Sequence, residues 1–129
     1  MGTITHGSND WLIISGDSKH ITRFKESFVK LSEHESPHKV KLRDDRYLIK
    51  GSGESSYKLD SGKSMKMKDA LFVLGLNKNL LSISALDAKG MRVAFVDGQV
   101  LMWPRGKTID DAIIIGEKGG LYKLKGHPE

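Results

Sequence analysis

A chain of 129 residues with 38% hydrophobic and 29% charged side chains has room for one core and none for separate substrate and cofactor domains. It has no cysteine and no apolar run near the roughly 18–20 residues that cross a bilayer. That excludes disulfides, thiolate catalysis and cysteine-ligated metal, predicts no membrane partner, and fits an intracellular setting, cytoplasmic or nuclear. The net charge of +5 is concentrated, since nine basic residues between Lys39 and Lys68 meet only Asp44, Asp45, Glu54 and Asp60 there.

In chain order, residues 1–10 are small and polar without periodicity and predict a flexible tail. Trp11 to Ile14 is a short apolar run ended by Ser15, Gly16, Asp17 and Ser18, which predicts a buried strand entering a tight loop. Phe24, Phe28 and Leu31, spaced by four and three, predict a turn or two of helix capped by Thr22. Turn signals then recur at Asp44-Asp45, Gly51-Ser52-Gly53, Asp60-Ser61-Gly62, Gly75, Asp97-Gly98 and Gly119-Gly120. Such spacing of turns between short alternating runs predicts an all-β domain. A helix is expected over about Ser82–Lys89, with Ile83, Ala85 and Leu86 inward and Gly90 as its stop, followed by strands near 91–96, 100–103, 112–116 and 121–124.

Few residues suggest chemistry on their own. His34 and His38 are four apart, but Pro37 between them argues for an exposed loop, and neither a metal nor a cofactor is expected. Gly51-Ser52-Gly53 lacks the length and following helix of a phosphate loop and is read as a hairpin tip. Charges alternate with apolar residues in Lys39-Val40-Lys41-Leu42-Arg43 and in Met65-Lys66-Met67-Lys68. On strands each run gives one basic and one apolar face, either a solvated face that discourages edge aggregation or a patch for an acidic partner, RNA or DNA. Only Tyr47 and Tyr57 are near enough in sequence to stack on bases.

Three segments, taken in order, carry a resemblance. Residues 11–22, WLIISGDSKHIT, resemble the W-x-x-D-S-G-A-S-x-H-M-T active-site segment of the protease in copia-type LTR retrotransposon gag-pol polyproteins. Residues 47–54, YLIKGSGE, are similar to the glycine-rich flap of retropepsins. Residues 71–86, LFVLGLNKNLLSISAL, resemble the copia pattern L-Y-V-P-G-L-x-x-N-L-L-S-V-x-x-L and include Val73, Leu74 and Gly75, the hydrophobic-glycine motif before the retropepsin helix. Downstream, Asp97-Gly98, Trp103-Pro104 and residues 120–124, GLYKL, are similar to the stretch leading toward the pre-integrase region.

What the resemblance implies is a retropepsin-like closed β-barrel with one main helix, assembled as a homodimer, with residues 11–90 as the domain and 91–129 as a C-terminal strand extension. Retropepsins share one proton between two Asp, one from each subunit, to activate water. In register that Asp falls on Ile14, and Asp17 stands where the family has Ala. An aliphatic side chain cannot accept water's proton, so the general acid–base contribution of roughly 10²–10⁴ has no source at position 14. The expected active-site loop is Ile14, Ser15, Gly16, Asp17 and Ser18; the expected flap is Lys50, Gly51, Ser52 and Gly53; the expected basic patch is Lys39, Lys41, Arg43, Lys66 and Lys68. The function expected is a catalytically inactive, domesticated module that binds a protein or peptide or drives assembly. The alternatives are an active aspartic endopeptidase processing a retrotransposon polyprotein, with Asp17 as its carboxylate, and a basic nucleic-acid-binding module.

Overall fold

The computed structural model describes residues 10–42 and 44–129, so the expected tail at 1–10 lies almost wholly outside the described residues, as does Arg43. The chain is all-β with one short helix. In order it runs β1 (Trp11–Ile14), β2 (Ile21–Thr22), a single 3-10 turn (Lys25–Ser27), β3 (Phe28–Glu33), β4 (Lys39–Leu42), β5 (Asp45–Leu59), β6 (Ser64–Val73), β7 (Asn79–Ser82) and α1 (Ile83–Ala88). After the helix come β8 (Met91–Val96), β9 (Gln99–Pro104), a second 3-10 turn (Ile109–Asp111), β10 (Ile113–Gly119), β11 (Leu121–Leu124) and β12 (Gly126–Pro128). The strands form one sheet in the order β12-β5-β6-β2-β7-β1-β11-β10-β9-β8, with β3 and β4 both added to β5.

Two parallel pairings set the centre. β1 runs parallel to β7, with Ile14 opposite Ser82, and β2 runs parallel to β6, with Ile21 opposite Leu71. The remaining pairs are antiparallel, and for the consecutive strands β4–β5, β5–β6, β8–β9 and β10–β11 the short connections require it. One cluster, built on Trp11, Ile13, Tyr57, Met67, Leu81, Leu86, Val100, Ile115 and Leu124, draws on both halves of the chain. A smaller one is built on Ile21, Val73, Leu76 and Leu80. Alternation holds where it was expected: Met65 and Met67 are buried, Lys66 and Lys68 exposed.

The helix expected over about Ser82–Lys89 is present as α1, with Ser82 as its N-cap accepting from Ala85 N–H at 3.0 Å and Gly90, at φ +87°, just past its end. The helix expected around Phe24, Phe28 and Leu31 is not. That stretch is a 3-10 turn followed by β3. A register shift between Phe28 and Lys30 places an extra residue in β3, so Phe28 and Leu31 are both half-buried at a three-residue spacing that reads as helical. Phe28 meets Phe72 edge-on, ring centroids 6.2 Å apart.

Candidate functional site

The loop joining β1 to β2 must pass the end of β7, because β7 lies between those two strands in the sheet. Side chains at that crossing are tied together. Ser82 Oγ donates to the carbonyl of Asp17 while accepting the helix-capping bond, and Ser82 N–H donates to Nδ1 of His20 at 2.9 Å. The carbonyl of His20 accepts from Leu71 N–H at 2.8 Å, and Thr22 Oγ1 donates to Oδ1 of Asn79 at 2.5 Å. His20, Thr22, Asn79 and Ser82 are each at most 2% exposed. Burial pushes the His20 imidazole down to about 4, against a smaller opposing effect of Asp69, so the ring is a neutral acceptor at pH 7.

These four residues were missed as a unit by reading the chain alone. The signal existed, since all four stand inside the two matched segments, 11–22 and 71–86. Their polar character is structural: each supplies a partner for a buried polar group at this crossing, the Asp17 carbonyl for Ser82, the Ser82 N–H for His20, and one another's side chains for Thr22 and Asn79.

Of the expected loop residues, Ser15, Gly16 and Ser18 are exposed, and Ile14 and Asp17 are half-buried. Ile14 packs against the Ile21, Val73, Leu76 and Leu80 cluster, to which Val40, Leu42, Tyr47 and Ile49 of the β4–β5 hairpin also pack. Position 14 is therefore an apolar packing position. Burial raises the Asp17 carboxyl above the usual aspartate range.

The expected flap needs correction. Lys50, Gly51, Ser52 and Gly53 are not a hairpin tip but the middle of β5, paired with β3 on one side and β6 on the other. The glycines serve close approach: a Cβ on Gly53 would lie 1.9 Å from the carbonyl oxygen of Lys30, and one on Gly51 would lie 2.6 Å from that of Ser32. The β4–β5 pairing ends instead at Leu42 and Asp45, which face each other. Val73 ends β6 and is buried, Leu74 is 46% exposed, and Gly75 takes φ +93° beside the Tyr47 ring. β7 stands between this motif and the helix.

The basic residues do not form one patch. Lys39 and Lys41 are exposed on β4, where Lys41 faces Arg46, while Lys66 and Lys68 are exposed on β6, where Lys66 faces Ser56. Among the described residues no group of three or more His, Asp or Glu could hold a metal ion. Among the same residues no helix is long and apolar enough to cross a membrane.

Fold and crossing thus define an all-β domain whose first loop is locked to the start of its helix. A family model described as the β-barrel domain of Pol polyproteins matches residues 11–91, more than half of the chain, and the chain belongs to that family. This supports derivation from a retrotransposon polyprotein. No curated protein and no solved structure matches it.

Proposed function

We propose that this is a catalytically inactive, retropepsin-derived domain that acts as a homodimeric protein- or peptide-binding and assembly module. The observation carrying it is Ile14. In the register of the protease segment this residue replaces the carboxylate, and its surroundings are the aliphatic cluster around Ile21, Val73 and Leu80. An ionised carboxylate there would lose hydration without gaining a partner. The exposure of Ser15 and Gly16 supports a role for that loop at a two-fold axis.

The sheet is read as a closed barrel. Residues 121–128 contact β1 and β10 through β11 and β5 through β12. Lys125 between them donates its N–H to Ile115 at 2.9 Å and accepts from Asp60 N–H at 3.0 Å. The family's description as a β-barrel supports the same reading.

Two measurements test the proposal. Analytical ultracentrifugation at micromolar concentration should give twice the monomer mass, and a clean monomer would remove the assembly role. The unmodified protein should show no pepstatin-sensitive peptide cleavage from about pH 3 to 7, the range in which carboxylate pairs share a proton. Cleavage abolished by Asp17→Asn would instead establish a working endopeptidase built on the neighbouring turn.

A further inference from the structure

β6 runs from Ser64 to Val73, but β2 covers its far side only at Leu71 and Phe72. From Ser64 to Ala70 the described strands leave that edge uncovered, while β5 occupies the other. An uncovered strand edge presents main-chain donors and acceptors at alternate residues. Facing it is a hollow of about 320 Å³ lined by Leu86, Met91 and Met102, with Lys66, Lys68 and Lys89 among its walls. A second hollow of about 290 Å³ shares Met91 and Met102 and extends the groove toward Lys63 and Lys107.

The charge around this groove is one-sided. Three carboxylates lie nearby and each has a partner: Asp69 is paired with Lys89 at 3.0 Å, Asp111 caps the turn at Thr108, and Glu129 is held by two serines. The same face already receives a carboxylate: Glu129 accepts from the hydroxyls of Ser56 and of Ser64, which lines the first hollow. Those two hydroxyls first, then Lys58 and Lys66, hold its carboxyl below the usual glutamate range. Among the residues lining the two hollows there is no Phe, Tyr or Trp, and the one ring, His20, is 2% exposed, so stacked bases have no open platform here. Thioether side chains adapt to varied apolar shapes, and free strand edges recruit extended peptides through main-chain bonds.

We propose that an extended acidic peptide segment adds to the free edge of β6, placing alternate apolar side chains on Met91 and Met102 and alternate carboxylates against Lys66 and Lys68. Lysines alone on an edge would suffice to blunt aggregation. A methionine-floored groove beside them is what a bound strand needs. The site uses none of residues 14–18, so a monomeric protein or a cleavage activity would leave it standing.

The test is fluorescence anisotropy of a labelled peptide of about eight alternating Glu and Leu residues, the length that spans such an edge. Binding should be saturable in the micromolar range. It should weaken by about tenfold or more with the double change Lys66→Glu and Lys68→Glu, and equally when alternate peptide amides are N-methylated. The double change Lys39→Glu and Lys41→Glu should leave it unaltered. Equal affinity for the N-methylated peptide would overturn strand addition, and equal affinity for a Lys–Leu peptide of the same pattern would overturn an acidic partner; either result would remove the proposal. So would an oligothymidine that binds where the acidic peptide does not, which would make this a nucleic-acid surface.

Discussion

His20 shows how a single buried ring can make stability depend on pH. The imidazole titrates near 6.5 when unfolded and near 4 when folded, so between those values the unfolded chain binds more protons and stability rises with pH. The contribution is complete above about pH 6.5 and is lost as pH falls toward 4, to an upper bound of about 3 kcal/mol. Replacing His20 by Asn keeps an acceptor near Nδ1 and should flatten this dependence in urea titrations. Replacing it by Leu leaves Ser82 N–H unsatisfied, at about 1–3 kcal/mol at pH 7. Ile14→Asp behaves in the opposite sense. A carboxyl in that aliphatic setting has a raised pKa, so the variant should lose about 1–3 kcal/mol at pH 7 and recover part of it near pH 4. A variant as stable as the parent at pH 7 would show that position 14 is hydrated.

At the level of elements, β5 replaces an expected mobile loop by the most heavily paired strand of the sheet. Amide exchange at Gly51, Ser52 and Gly53 should therefore be as slow as at Leu71 to Val73, with fast exchange at Asp44 instead. Gly53→Val should destabilise by about 1–3 kcal/mol or more, because its side chain meets main chain that has nowhere to move. The reason the sequence misleads here is physical. Glycine marks both turns and close strand crossings, and only the path of β3, set by distant pairing, decides between them. Phe28 and Leu31 mislead in the same way, since a bulge imitates helical spacing. Where local rules suffice the chain is legible: Ser82 and Gly90 bound the helix, and the alternation of Met65 to Lys68 and the turns at Asp97-Gly98 and Gly120 define their strands. The crossing of His20 with Ser82 was legible only as a motif, because its partners are joined by hydrogen bonds across distant segments.

For the whole molecule, the match to the Pol β-barrel family ends at residue 91, yet the core is not confined there. Val100, Met102, Ile115 and Leu124 are each at most 9% exposed and belong to the main cluster with Trp11 and Met67. At about 1.5–3 kcal/mol each, their burial is comparable to the entire stability of an ordinary domain. A chain ending at Gly90 should therefore lack a cooperative unfolding transition by circular dichroism. Gly126→Val should weaken the full chain, since a Cβ there would sit 2.0 Å from the carbonyl oxygen of Lys58 where β12 joins β5. Full retention of the melting temperature in that variant would disprove a tight junction.

The pairing of Leu12 with Lys123 also governs when the molecule can fold. As the chain emerges from a ribosome, β1 can meet β7 after residue 82, but its other edge stays bare until β11 has been made. The nascent chain would thus expose the Trp11 strand through most of the domain's synthesis, and loop closure over such a span is slow. Folding should be gated by translation through residue 128, with chaperone capture or premature strand pairing between neighbouring nascent chains competing until that moment.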